Sequence, residues 1–406
     1  MDIEIWREKV GKLFPEYVIS AEIGLSVIHQ LCIKDISNPF GLVLVDVPSS
    51  GKTIVLNFFS ELKDIVYATD NFTPASFVTH ASEKNKEDLE KIDLLPKIKD
   101  KVFLVRDLAP IFGMRDDDLL KTMGILTRVF DGEGLLTESG LHGQRGYKGR
   151  YNFMFLGAST PISPRVWKVM GGFGSRLFFF VMNTSNKDYI ALAKQLKAKF
   201  SPKKKVRFCR EYSGELIKNT FKGVRSIWWD REEDAQSLLE EIAIIAMLVA
   251  SLRGIIKVWL EEGFSGDVNY TSPQIEKPDR INQALYNLAR GHAVACGRMT
   301  LNDEDIAIAL SVALSSAPLE RVKLFKLLIK NNGELNSKIV MSELGFSNTT
   351  SLRLIGMFQQ LKIIDVEEKV TLEPGRPEKV ARIKEEFSWF LSSRFKKLNN
   401  LLQGLI

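Results

Sequence analysis

The chain has 406 residues, 45% of them hydrophobic and 26% charged, with a formal net charge of +6, and reads as an ordinary soluble globular protein of two or three domains. Cys32, Cys209 and Cys296 are far apart and show no metal-ligand spacing, which argues against a disulfide framework or a zinc site and fits a reducing, cytoplasmic compartment. The opening MDIEIWREKVGKLF lacks an apolar core, and no stretch reaches the roughly 18 unbroken apolar residues of a membrane span, so neither export nor a membrane role is expected.

Residues 1–37 read as an N-terminal helical segment with Trp6, Val10, Leu13 and Phe14 on one face, closed by the turn signal Asn38-Pro39. Over residues 38–186 the texture changes. Five short apolar runs, Leu42–Val45, Ile65–Ala68, Val102–Val105, Phe153–Leu156 and Leu177–Val181, alternate with helical segments such as Thr53–Leu62 and Asp116–Phe130. That alternation predicts an α/β core, a parallel sheet covered by helices on both faces.

Residues 187–234 form a basic linker or exposed basic face that includes Lys203, Lys204 and Lys205. Residues 235–316 carry three helical patterns, Ala235–Glu262, Asp279–Gly297 and Asn302–Ser316, and predict an all-helical module. Residues 317–387 give helices Leu319–Lys330, Ser337–Leu344 and Thr349–Leu361, the last capped by Asn348. Strands Ile363–Val366 and Val370–Leu372 follow, with a tip near Pro374–Pro377. Three helices and a wing predict a winged helix-turn-helix. Residues 388–406, with Trp389, Phe390, Phe395, Leu398, Leu401 and Leu402, predict a C-terminal amphipathic helix.

The chemistry concentrates in VDVPSSGKT, Val45–Thr53, between the first strand and the following helix. It matches the phosphate-binding pattern G-x-x-x-x-G-K-[ST] except that Asp46 replaces the first glycine. In such a loop Pro48, Ser49, Ser50 and Gly51 bring backbone amides to a phosphate, Lys52 reaches the β- and γ-phosphates, and the Thr53 hydroxyl holds Mg²⁺. A carboxylate at position 46 repels phosphates unless it is turned away. The second strand-end site is Arg106-Asp107, after Val102–Val105. Phosphoryl transfer wants one acid for Mg²⁺ and another to orient water. If Asp107 activates water, Mg²⁺ loses a carboxylate; if it serves Mg²⁺, Leu108 stands where the base belongs.

These motifs, taken in order over residues 38–316, resemble the AAA+ ATPases, and with the C-terminal winged helix the chain resembles MCM-like helicases and archaeal-type replication initiators. The resemblance implies a sheet of order 5-1-4-3-2, a helical lid at 235–316, ATP and Mg²⁺ as cofactors, and a hexameric ring or spiral with nucleotide between subunits. Gly157-Ala158-Ser159-Thr160-Pro161 looks like the sensor 1 segment, with Thr160 as the polar residue and Ser159 in reserve. Gly174-Ser175-Arg176 is similar to an arginine-finger segment, with Arg176 aimed at a neighbour's γ-phosphate. Pro278-Asp279-Arg280 looks like sensor 2 of the lid, with Arg280 on the nucleotide.

The glycine-rich stretch Asp131–Arg150 resembles a pre-sensor hairpin that touches DNA, which offers Arg145, Lys148 and Arg150; His142 reads as a surface polar residue. With Lys203, Lys204 and Lys205, and with Arg353 and Arg376 of the winged helix, these are the DNA-binding candidates, making salt-sensitive phosphate contacts. The expectation is an ATP-driven DNA motor. Two alternatives stay open: an ATP-gated oligomeric switch on DNA with weak hydrolysis, and a protein-remodelling ATPase whose winged helix recruits a protein client.

Overall fold

The structure is a computed structural model that describes residues 1–80, 86–140, 143–182, 184, 188–197, 200–260, 268–369 and 378–401. The chain divides into two compact units. The first comprises Met1–Val169, Arg176–Ala235 and Asn287–Asp305; the second comprises Met170–Ser175, Gln236–Tyr286 and Ile306–Ile406.

The first unit is built on a five-stranded parallel sheet. Its strands are β1 (Phe40–Val45), β2 (Val66–Thr69), β3 (Val102–Val105), β6 (Met154–Ser159) and β7 (Leu177–Val181), with β4 (Gly134–Ser139) and β5 (Gly143–Lys148) forming a separate antiparallel hairpin. The spatial order is β2-β3-β6-β1-β7, and every neighbouring pair is parallel. Strands β1, β3 and β6 are buried at every residue, which is why they read as continuous apolar runs rather than alternating ones. Phe103 and Phe155, and Phe130 with both Phe153 and Phe155, pack edge-on against one another.

The N-terminal residues form two helices rather than one, Ile3–Leu13 and Val18–His29, separated by a short turn at Pro15–Tyr17. The first is amphipathic, with Trp6 and Val10 fully buried and Leu13 only half-buried. The second is buried from Ser20 to His29, the signature of a helix enclosed on all sides. The basic stretch contains the helix Pro202–Thr220, capped by Ser201 and packed along the first helix, where Trp6 Nε1 donates to Ser213 Oγ at 3.1 Å. Its Cys209, Leu216 and Ile217 are buried while Lys203 and Lys204 are exposed. The helix after the phosphate loop ends early, at Leu56, and gives way to three-residue turns through Phe58 and Phe59, both fully buried.

The second unit contains the helix Gln236–Arg253, buried over most of its length. Helices Leu319–Lys330, Ser337–Leu344 and Asn348–Gln360 accompany a three-stranded antiparallel sheet in the order Glu334–Asn336, Glu378–Ile383, Ile364–Lys369. Asn336 caps the second of these helices, and Gly345, at φ +69°, stops it. The third is capped by Ser347, one residue ahead of Asn348, because the Ser347 hydroxyl accepts from Thr350 N–H at 3.2 Å. The proposed strand Val370–Leu372 and the tip with Arg376 lie outside the described residues. Toward the C-terminus a 3-10 turn, Glu385–Leu391, precedes the helix Ser393–Leu401. Phe390 meets Phe325 edge-on at 5.1 Å, and Arg394 grips both carboxylate oxygens of Glu241.

Candidate functional site

The C-terminal edge of the sheet gathers three segments. Because Val45 is in register with Ser159 and with Val181, and Val105 with Gly157, the chain leaves β1, β3, β6 and β7 on the same side. Strand ends of a parallel sheet are where its ligands bind. The segments emerging there include Asp46–Thr53, Arg106-Asp107 and Ser159-Thr160.

The loop Asp46–Thr53 turns through two left-handed residues, Ser49 at φ +65° and Gly51 at φ +96°. Gly51 is there for two reasons. Its φ suits a residue without Cβ, and a Cβ at this position would fall 1.9 Å from the Tyr17 hydroxyl oxygen. Tyr17, itself buried, therefore backs the loop; desolvation and the charges of Glu16 and Asp46 raise its pKa.

Lys52 curls into the loop. Its ammonium donates to the carbonyls of Asp46 at 2.8 Å and Val47 at 2.7 Å, and to Ser50 Oγ at 3.3 Å. Burial lowers the Lys52 pKa, and the charges of Asp46 and Asp107 oppose that shift. Thr53 is exposed at the start of the helix Lys52–Leu56.

Asp46 is held at the start of the loop by three hydrogen bonds. One carboxylate oxygen accepts from its neighbour Val47 N–H at 2.7 Å; the other accepts from both the backbone N–H of Thr184, at 3.1 Å, and its hydroxyl, at 2.6 Å. The acid is thus a tie between the first strand's exit and the segment after β7.

Asp107 is exposed, and its Oδ1 accepts from Ala109 N–H at 2.9 Å. Arg106 pairs instead with Asp70 at 2.7 Å. Thr160 is half-buried, whereas the Ser159 hydroxyl is 1% exposed and has no hydrogen-bond partner among the described residues. A buried polar atom left in that condition is costly unless something else meets it.

Arg176 stands elsewhere. It precedes β7, whose Leu177 pairs with Gly41 at the start of β1, so it lies at the opposite edge of the sheet, about 13 Å along the strands from the loop. There its guanidinium binds Asp131 at 3.0 Å. Arg280 is exposed near the start of the helix Asp279–Ala295, in the second unit.

Among the nucleic-acid candidates, Arg145 is committed to Asp93 at 3.1 Å, a fully buried carboxylate that also accepts from the Tyr147 hydroxyl at 2.7 Å. These bonds anchor the β4–β5 hairpin. Arg150 is exposed and donates to the Ile36 carbonyl, while Lys148 is exposed. Lys203 and Lys204 are exposed, with Lys204 over the Phe200 ring at 4.8 Å. Lys205 is half-buried and lies over Phe14 at 5.5 Å. Arg353 is exposed; Arg376 and His142 lie outside the described residues.

Nothing in the residue pattern marks Tyr17 or Thr184 as loop partners, since both lie far from the motif along the chain. Compared with known proteins, the chain matches no protein-family model, and no curated protein matches it. No described helix is long and apolar enough to cross a membrane.

Proposed function

We propose that the chain is an ATP-dependent, DNA-binding motor of the AAA+ type, with a P-loop core, a helical lid and a C-terminal winged helix. The observation that carries this reading is the loop between β1 and the helix Lys52–Leu56. It turns through two left-handed residues, and a lysine ammonium sits on its carbonyl oxygens. Phosphate oxygens are stronger acceptors for that ammonium than neutral carbonyls. Binding of ATP swaps those two bonds for contacts to the β- and γ-phosphates.

The sheet order supports the same reading: numbered among themselves, the five strands run 2-3-4-1-5, the order that the resemblance implies. The exposed Thr53 hydroxyl and the Asp107 carboxylate would hold Mg²⁺, and Ser159 or Thr160 would meet the γ-phosphate or the attacking water. Arg176 is too far along the sheet to serve its own loop, which favours an assembly, six subunits by resemblance, in which each Arg176 serves a neighbour's nucleotide. Arg280 would close the lid. The three helices and antiparallel sheet of residues 319–383 support the winged helix. Exposed Lys148, Arg150, Lys203, Lys204 and Arg353 supply the cations for DNA phosphates, and the three free cysteines suit a cytoplasmic setting.

A second reading, an ATP-gated assembly switch with weak hydrolysis, is favoured by one observation: the strand end after β3 offers Asp107 alone, because Arg106 is paired with Asp70. ATP turnover with and without DNA separates the two readings. A motor gives turnover that DNA stimulates and that Lys52→Ala and Asp107→Asn abolish. Nucleotide binding without turnover leaves the switch, and failure to retain any adenine nucleotide in calorimetry removes both. DNA affinity that does not fall with salt points to a protein client.

A further inference from the structure

Away from the phosphate loop, the first unit holds a buried polar cluster around His292. Its Nε2 lies 2.8 Å from Glu22 Oε1 and 3.6 Å from Cys296 Sγ, and its Nδ1 lies 2.5 Å from Asp305 Oδ1. Glu22, His292 and Cys296 each offer one ligand atom, and the three atoms lie within 4.8 Å of one another. We propose that these three residues form a binding site for a thiophilic divalent transition metal, with Zn²⁺ as the type ion.

His292 lies in the last turn of the helix Asp279–Ala295, and Cys296, four residues on, directly follows the helix with its N–H still bonded to the His292 carbonyl at 3.0 Å; Glu22 comes from the buried helix Val18–His29. With Zn–S near ~2.3 Å and Zn–N near ~2.05 Å, tetrahedral geometry places sulfur and nitrogen about 3.6 Å apart, which is the separation seen here. The Glu22 oxygen must withdraw by about half an ångström from Nε2 to reach tetrahedral spacing of about 3.3 Å.

The surroundings are those of a supported metal site. A histidine ligand is ordinarily oriented by a carboxylate on its other nitrogen, and Asp305 does this; it is itself held by Arg298 at 2.7 and 2.8 Å and by Asn302 N–H at 2.7 Å. Arg7 fixes Glu22 through Nε at 3.0 Å and through a second, shorter contact from Nη2.

Charge also balances. Without an ion, both ring nitrogens face carboxylate oxygens, which only accept, so both carry protons. Entry of one divalent ion releases the Nε2 proton and the Cys296 thiol proton, and the net charge of the cluster is unchanged. Cys296 is partly exposed while His292 is fully buried, so the thiol is the entry side, and the fourth position is left to water. A sulfur and an imidazole select zinc-like ions over Mg²⁺, which keeps this site apart from any nucleotide-bound ion.

The test uses the full chain loaded with Zn²⁺ and passed through a desalting column, with metal read by elemental analysis. About one zinc per chain is expected for the wild type and for Cys32→Ser and Cys209→Ser. Cys296→Ser should retain less than a tenth of that while keeping its thermal unfolding profile, and Asp305→Asn should bind 10–100-fold more weakly. Co²⁺ gives a second readout on the wild type alone: a near-ultraviolet sulfur-to-cobalt band and intense tetrahedral visible bands. Absence of zinc from the wild type, equal retention by Cys296→Ser, or cobalt spectra without a sulfur band overturns the proposal.

Discussion

The carboxylate of Asp46 is bound by both hydrogen-bond donors of Thr184, at 3.1 and 2.6 Å, across 138 residues of chain. The residue that breaks the phosphate-loop pattern is therefore a structural fastener, tied through one carboxylate oxygen to Thr184 and through the other to Val47 N–H of the loop itself. Thr184→Val removes the hydroxyl donor from an acid that is only 9% exposed. We expect a loss of about 1–3 kcal/mol in denaturant unfolding, together with weaker nucleotide binding. Unchanged stability and affinity would show that the tie has no role in shaping the loop.

Gly51→Ala meets two obstacles, a positive φ and the Tyr17 hydroxyl 1.9 Å from the new Cβ. The left-handed conformation by itself costs an alanine about 1–2 kcal/mol, so the rest of the penalty is steric. In thermal unfolding, Tyr17→Ala should be destabilising alone but should recover part of the Gly51→Ala loss in the double variant. Strict additivity of the two substitutions would rule out the packing of Tyr17 on the loop.

The position of Arg176 at the far edge of the sheet makes a mixing experiment decisive. Lys52→Ala and Arg176→Ala are each expected to lose ATP turnover. Mixed before assembly, they should regain part of it, since an Arg176→Ala subunit with an intact loop can receive the arginine of a Lys52→Ala neighbour. No recovery in the mixture argues for a role of Arg176 confined to its own chain, with Asp131.

His29 is fully buried; its Nδ1–H donates to the Leu25 carbonyl at 2.8 Å, and Nε2 faces the Thr220 hydroxyl at 2.5 Å. Burial pushes its pKa down from 6.5 to about 4. In this window the unfolded chain binds the proton and the folded one does not, so stability is complete above pH 6.5 and falls as pH drops toward 4. The full loss is about 3 kcal/mol. His29→Gln should show a flatter stability profile than the wild type between these limits. Parallel profiles would contradict the assignment.

Cys32 and Cys209 are fully buried, and burial raises both thiols to about 12. Thiolates are the reactive species, so under native, metal-free conditions a thiol reagent should label Cys296 alone, with all three cysteines reacting after unfolding. Rapid labelling of a second thiol in the folded protein would show that the helices carrying Cys32 or Cys209 open readily.

Patterning and steric preference along the chain carried much of what was legible. The runs Val102–Val105 and Leu177–Val181 announced buried strands because residues enclosed on both faces must all be apolar. The lysine and glycine of PSSGKT announced a loop after a strand. The basic run at Lys203–Lys205 was less transparent: its charge suggested a linker or exposed face, yet every third or fourth residue downstream, Cys209, Ser213, Leu216 and Ile217, is buried in the helix Pro202–Thr220. Arg145 likewise read as a free cation, and only Asp93, 52 residues earlier, explains its orientation.

By itself, then, the amino-acid order determined the five strands of the parallel sheet, the strand-loop-helix around Lys52 and the apolar faces that had to be covered, since these follow from side-chain periodicity and backbone sterics acting between near neighbours; it did not determine the helix Pro202–Thr220 or the end of the helix Gln236–Arg253, short of the predicted Glu262. Tertiary packing alone decided that Tyr17 backs Gly51, that Thr184 claims Asp46, that Arg176 sits at the sheet's opposite edge, and that Glu22 joins His292 and Cys296. Such pairings depend on which surfaces exclude water against one another, and chain positions that far apart leave no periodic trace of it.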